Sequence, residues 1–333
     1  MMPEDRTWQV GLIGAGMVSR HHLAAWAKVP QARVVAIADR DLDRAEQRAR
    51  DFGIPAAYAS AEELLTSQRL DALDIAAPVD QHGALCRLAA EQGVAILCQK
   101  PLAASAEEAR RILAAVDGRV RFMVNENWRF RSSYRQVKAW LDAGRVGQVT
   151  GVSLSVASSG LVADAAGRRP ALRRQPFLAE LPRLLVFEVL VHHIDVLRWL
   201  FGALSVKGAS LRRGCTAVRG EDGASIWFEA EGGLLVALDG CLSVPEAPLH
   251  IADRLEILGT EGSIRLADGV LALDGPQPES RSWDFEAVYD SAFEGALHHF
   301  VERLADGRAF ETEATDNIAV LRLVEEVYHR ADL

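Results

Sequence analysis

The chain has 333 residues, 49% of them hydrophobic and 25% charged, with a formal net charge of -9; that length implies two hydrophobic cores, and that composition is too apolar for disorder. Lys and Arg are dispersed along the chain instead of gathered into a basic block, which argues against nucleic acid as a partner. The acidic start from Met1 to Arg6 is unlike a signal peptide, and no run of ~18 apolar residues offers a membrane span, so a cytoplasmic protein without a membrane partner is expected.

Gln9 to Ile13 reads as a short apolar strand that ends in Gly14-Ala15-Gly16-Met17-Val18-Ser19 and passes into a helix over His21 to Lys28. The same alternation continues. Strands are predicted at Arg33–Ala38, Ala56–Tyr58, Leu73–Ala77, Val94–Cys98 and Arg121–Val124, with helices at Leu42–Asp51, Glu62–Gln68, His82–Gln92 and Ala106–Val116. Strands alternating with helices at this spacing imply a parallel, doubly wound α/β sheet with helices on both faces.

Beyond residue 125 the rhythm changes. Helices are predicted at Tyr134–Ala143 and Phe187–Phe201, then strands with two-residue alternation at Val152–Ala157, Ala224–Ala230, Leu234–Gly240, Arg254–Gly259 and Gly262–Leu266, read as antiparallel. Two helices close the chain, Phe293–Ala305 and Asp316–His329, and the arginine-rich stretch Gly167 to Pro182 is read as a loop. The expected fold is thus a Rossmann domain over residues 1–125 and an α+β domain over 126–333 with a large, mostly antiparallel sheet. One face of such a sheet is commonly a subunit interface, so a homo-oligomer is expected. The four cysteines, Cys86, Cys98, Cys215 and Cys241, lie far apart without metal-ligand spacing and are read as packing residues in a reducing compartment.

A dinucleotide-binding turn needs glycine because the backbone must bend sharply and bring its N–H groups to the pyrophosphate, facing a helix N-terminus. Gly14 and Gly16 meet that need, Met17 and Val18 open the helix, and Ser19 fills the third fingerprint position with a small residue other than glycine. Asp39 ends the second strand near the spacing of a ribose-binding acid and favours NAD, whereas Arg40 beside it leaves NADP open.

Several separated motifs together resemble the glucose-fructose oxidoreductase and inositol dehydrogenase (Gfo/Idh/MocA) family. Ala77-Pro78-Val79-Asp80-Gln81-His82 is similar to its TPxxxH turn, Cys98-Gln99-Lys100-Pro101-Leu102 to its EKP motif and Arg145-Val146-Gly147-Gln148-Val149 to its GxIGxV segment. Glu188 to Asp195 is similar to its DxGxHxxD helix, and Ile257 to Gly262 to its xGTxG turn. The resemblance implies a Rossmann domain joined to an α+β domain whose large, mostly antiparallel sheet commonly mediates a homodimer or homotetramer. It also implies hydride exchange between nicotinamide and a secondary alcohol of a sugar, polyol or cyclitol.

Removing hydride from a carbinol carbon requires a base for the hydroxyl proton, and the reverse requires an acid. His192 is the candidate: Glu188, His192 and Asp195 fall at i, i+4 and i+7 on one helix face, so Glu188 can orient the imidazole and Asp195 can reach substrate. His193 points elsewhere and is read as structural. Lys100, at the carboxyl end of a Rossmann strand, is placed to bind substrate and nicotinamide and to stabilise alkoxide charge. Pro78 and His82 follow the preceding strand near the nicotinamide; for His82, packing at the helix start is the competing reading. Asn125, Trp128 and Arg129 come after the last Rossmann strand, where Arg129 is a candidate substrate ligand. Arg168, Arg169, Arg173 and Arg174 are either a solvated loop or a site for an acidic sugar. Gln99 departs from the family's Glu, and Pro182 to Val186 replace the glycines expected before the helix. Two alternatives stay open: an enzyme that retains NAD for redox-assisted elimination or glycoside cleavage, and a non-catalytic nucleotide sensor.

Overall fold

The computed structural model describes residues 6–116 and 118–331. Residues 1–5, most of the segment compared above with a signal peptide, lie outside them. The chain divides into two compact units, Met1–Arg131 with Tyr289–Leu321, and Ser132–Val288 with Arg322–Leu333.

The first unit is built on β1 (Trp8–Ile13), α1 (Met17–Trp26), β2 (Ala32–Ala38), α2 (Leu42–Phe52), β3 (Ala56–Tyr58), α3 (Ala61–Ser67), β4 (Ala72–Ile75), α4 (His82–Glu91), β5 (Ala95–Gln99), α5 (Ala106–Val116) and β6 (Phe122–Asn125). Its six strands run in the order β3-β2-β1-β4-β5-β6 and every pair is parallel. The order reverses between β1 and β4, so the loops leaving these two strands diverge and open a crevice at the carboxyl edge of the sheet. Helix α1 starts at Met17, four residues before the expected His21, because Gly16 is its extended N-cap; the helix therefore follows the glycine turn directly.

Residues 289–321 join this unit, which a division at residue 125 does not anticipate. The reason is packing: Phe293, Leu297, Phe300 and Phe310 complete one core with Trp26, Leu97 and Met123. Thr312 also extends the β6 edge, its carbonyl accepting from Val124 N at 2.9 Å and its Oγ1 donating to Val124 O at 2.7 Å.

The second unit contains α6 (Ser132–Asp142), β7 (Val149–Ala157), α7 (Pro170–Arg174), α8 (Val191–Phe201), β8 (Leu204–Arg212), β9 (Gly223–Ala230), β10 (Leu235–Cys241), β11 (Ala252–Gly259), β12 (Ser263–Ala267), β13 (Val270–Asp274) and β14 (Glu279–Ser282). Helices α9 (Phe285–Asp306) and α10 (Ala314–Arg330) follow in the chain. The eight strands are ordered β14-β13-β12-β11-β7-β10-β9-β8. All neighbours are antiparallel except β10 and β7, which run parallel. Alternation buries Val152, Leu154, Val156, Val236, Leu238, Leu255 and Ile257 on one face of this sheet.

Three strands were not expected. β8 is interrupted by a register shift between Val206 and Gly208, which breaks its two-residue period, and β13 and β14 lie outermost at the other edge, where β14 is short and polar. The stretch read as a loop holds α7 and a 3-10 turn at Pro176–Ala179. Among the described residues no helix is long and apolar enough to cross a membrane.

Candidate active site

Gly14 and Gly16 differ in why they must be glycine. Gly14 has φ +102°, and a Cβ there would lie 2.5 Å from Ala76 O, so the turn after β1 presses against the end of β4. Gly16 has φ -69°, which any residue adopts, and its Cβ would meet nothing within 4 Å. Nothing among the described residues requires glycine at position 16; the space left open beside its backbone, at the start of α1, fits a dinucleotide phosphate drawn close to the amides. Asp39 braces the same turn. Its Oδ2 accepts from Ala15 N at 2.7 Å and its Oδ1 from Asp41 N at 2.9 Å, which fixes the carboxylate at the end of β2. Met17 and Arg40 are exposed beside it, and Val18 is partly buried against the core.

Behind the turn, sequence reading missed a buried polar cluster. His22 Nδ1 lies 2.8 Å from Asp74 Oδ2, which also accepts from Trp26 Nε1 at 2.7 Å, and Asn125 Nδ2 lies 3.2 Å from His22 Nε2. These contacts lock α1 to β4 and β6. Asp74 inside the apolar run Leu73-Asp74-Ile75 was the available signal, since a carboxylate is rarely buried without partners.

Lys100 follows β5, one strand beyond β4 in the same sheet, and the turn that carries it is held from three sides. Its own amide donates to Gln99 Oε1 at 3.2 Å, and Leu102 N donates to Asn317 Oδ1 at 3.0 Å. His82 is buried between the two loops, with Nε2 2.9 Å from Ala77 O and Nδ1 3.1 Å from Pro101 O. Burial pulls the His82 pKa below its usual value despite these carbonyls. Both of its ring nitrogens therefore serve the backbone, and any effect on cofactor comes through the shape of the Pro78 and Lys100 loops. Pro78 itself is exposed. Arg129 is likewise buried in use: Nη1 donates to Glu311 O at 2.6 Å and Nη2 lies 3.7 Å from Asp316. Both of these contacts lie within the first unit.

In the second unit the helix expected over Phe187–Phe201 is two segments, a π-turn at Leu185–Leu190 and then α8. Glu188 lies inside the π-turn, about one wide turn before His192, and His192 and Asp195 keep one face of α8. That face is not solvated: His192 is 7% exposed and Asp195 2%. His193 is fully buried, with Nε2 2.9 Å from Asp253 Oδ1, and Tyr134 donates to the other Asp253 oxygen at 2.8 Å.

The π-turn is anchored by Glu221, also missed in the sequence. Its carboxylate accepts from Val186 N at 2.9 Å, Leu184 N at 3.3 Å and Tyr328 Oη at 2.6 Å. Desolvation, reinforced by this carboxylate, holds the Tyr328 phenol far above its usual range. Among the described residues no group of three or more His, Cys, Asp or Glu is arranged to hold a metal.

Residues 8–126 match an oxidoreductase family with an NAD-binding Rossmann fold, and residues 134–265 match the GFO/IDH/MocA C-terminal domain. The D-apiose dehydrogenase of Paraburkholderia graminis is 33% identical over 331 residues, spanning 95% of this chain and 86% of the relative. The chain belongs to the Gfo/Idh/MocA oxidoreductase family.

Inositol 2-dehydrogenase 3 of Saccharopolyspora erythraea is 28% identical and spans 94% of this chain and 90% of its own length. Among solved structures, an oxidoreductase from Agrobacterium radiobacter in complex with NAD+, L-tartaric acid and magnesium is similar with a TM-score of 0.90 at 28% identity, covering 98% of this chain and 96% of the other. As a Gfo/Idh/MocA oxidoreductase the chain is an NAD-dependent dehydrogenase, and the turn at Gly14–Val18 with Asp39 is the part of its Rossmann domain that fits the dinucleotide. Against the motifs of the family, it carries Gln99 before Lys100 and a Glu221-anchored π-turn where glycines are expected before the His192 helix.

Proposed function

We propose that this dehydrogenase transfers hydride between NAD and a secondary alcohol of a sugar, polyol or cyclitol, the substrate class of its named relatives. The observation that carries the reading is the position of Lys100 at the carboxyl end of β5, on the edge of the parallel sheet where the Gly16 cradle opens. Bound nicotinamide supplies the hydride acceptor, or the donor in reverse. The chain supplies the rest. His192 takes the carbinol proton at a ring nitrogen and returns it in the reverse direction, and the Lys100 ammonium donates a hydrogen bond to the reacting oxygen and offsets developing alkoxide charge. Glu188 steadies the protonated imidazole, and Asp195, on the His192 face of α8, holds a substrate hydroxyl.

A hydroxy-acid substrate is a second reading, supported by Arg168, Arg169, Arg173 and Arg174 in and before α7 and by the L-tartaric acid in the Agrobacterium complex. Asp39 favours NAD over NADP because its fixed carboxylate repels a 2′-phosphate. A cytoplasmic setting belongs to the same reading, since all four cysteines are free thiols. So does self-association through the exposed face of the eight-stranded sheet.

A screen of sugars, polyols, cyclitols and sugar acids for NADH formation tests the assignment. Lys100→Ala and His192→Ala should each lower turnover about 100-fold or more on the substrate found, a larger loss than either causes in NADH affinity. Wild-type turnover in both variants refutes the roles. Co-purified NAD that does not exchange would favour redox-assisted elimination instead, and NADH binding without turnover on any substrate a sensor.

A further inference from the structure

Arg48 lies on α2 among exposed charged neighbours, yet it is only 7% exposed. Its Nη2 donates to Ala15 O at 3.0 Å and to Gly16 O at 3.3 Å, and Gly16 O also accepts from Ser19 Oγ at 2.7 Å. Its Nη1 is buried with no hydrogen-bond partner among the described residues. A guanidinium placed this way sits behind the glycine turn. In a trans peptide the carbonyl and the following N–H point in opposite directions. Drawing the carbonyls of Ala15 and Gly16 towards α2 therefore turns the N–H groups of Gly16 and Met17 the other way. A cationic donor on a carbonyl also polarises its peptide and makes the attached N–H a stronger donor. Burial makes the guanidinium charge harder to hold, Arg20 and Arg44 repel it and Asp51 partly offsets them, but an arginine in a protein stays protonated. A buried positive charge thus stands behind a turn whose ligand is doubly anionic.

We propose that Arg48 is a positioning residue for the dinucleotide pyrophosphate, fixing from behind the two peptides whose amides face it and lending the turn positive charge. Ser19 shares the work: where a third glycine would leave the Gly16 carbonyl to Arg48 alone, its hydroxyl adds a second donor. The inference rests on the NAD-binding reading of the turn.

The test is titration of the full-length protein with NADH by fluorescence across a range of NaCl concentrations, for wild type, Arg48→Met, Arg48→Lys and Ser19→Ala. Arg48→Met keeps much of the length and none of the donors; its Kd should rise about tenfold or more and vary less steeply with salt, because one charge near the phosphates is gone. Arg48→Lys should fall between the two and keep the wild-type salt slope. Ser19→Ala should weaken binding several-fold with the slope unchanged. An Arg48→Met Kd within twofold of wild type overturns the proposal, as does a rise with an unaltered slope and no recovery in Arg48→Lys. If Arg48→Met fails to fold, the other two variants decide, and wild-type Kd values in both overturn it. Wild-type protein that does not bind NADH overturns the reading of the turn itself, a failure distinct from loss of the Arg48 effect.

Discussion

His82 has one proton in its neutral form and backbone carbonyls facing both ring nitrogens. A second proton would satisfy both directions, but removing the charged ring from water outweighs them, so the folded-state pKa lies below the ordinary 6.5. The sign follows. Below pH 6.5 the unfolded chain takes up a proton that the folded chain refuses, so stability is full above 6.5 and is lost as pH falls from there towards the folded value. His82→Gln removes this group, and urea midpoints at pH 7.5 and 5.5 should lie closer together for the variant than for wild type; equal gaps would sink the idea. The sequence showed His82, Lys100 and His192 because each sits in a spaced motif. It left the duty of His82 open, since a motif fixes residue type and not whether the ring faces a ligand or backbone carbonyls.

At the scale of elements, the first unit was readable because each of its parallel strands is a short apolar run bounded by a helix, so period and length agree. The helix carrying His192 was readable as a helix and not as a π-turn, because the winding depends on Glu221, distant in sequence, capping Leu184 and Val186. Tyr328 is the third donor on that carboxylate, and its loss leaves a buried charge with one partner fewer. Tyr328→Phe should therefore destabilise the protein by about 1–3 kcal/mol, read from urea denaturation. If the clamp sets the placement of Glu188 and His192, the variant should also lose turnover several-fold at unchanged NADH affinity. A variant with lower stability but wild-type turnover would confine the clamp to a structural role.

The whole molecule exposes one face of the eight-stranded sheet. Cross-strand pairing puts Trp227 opposite Ala237 and Glu256 opposite Ser153, so Trp227, Leu235 and Leu258 project from the same side. They are 51%, 64% and 46% exposed, amid the small residues Ser153, Ser155, Ala157, Ser225 and Ala237 and the charged Glu229, Asp239, Arg254 and Glu256. Small side chains let a second surface approach closely, and large apolar ones gain from being covered, a combination that a monomer has little reason to keep in water. Self-association through this face predicts that light scattering gives a multiple of the chain mass at micromolar concentration. Trp227→Glu and Leu235→Glu each place a charge where that surface would be dry, so each should raise the dissociation constant about tenfold or more. Their apparent melting temperatures should lose the concentration dependence expected of a wild-type oligomer. Both side chains are exposed in the single chain, so neither substitution disturbs a packed core. A monomeric wild type, or variants that assemble as it does, would mean that this face serves something other than self-association.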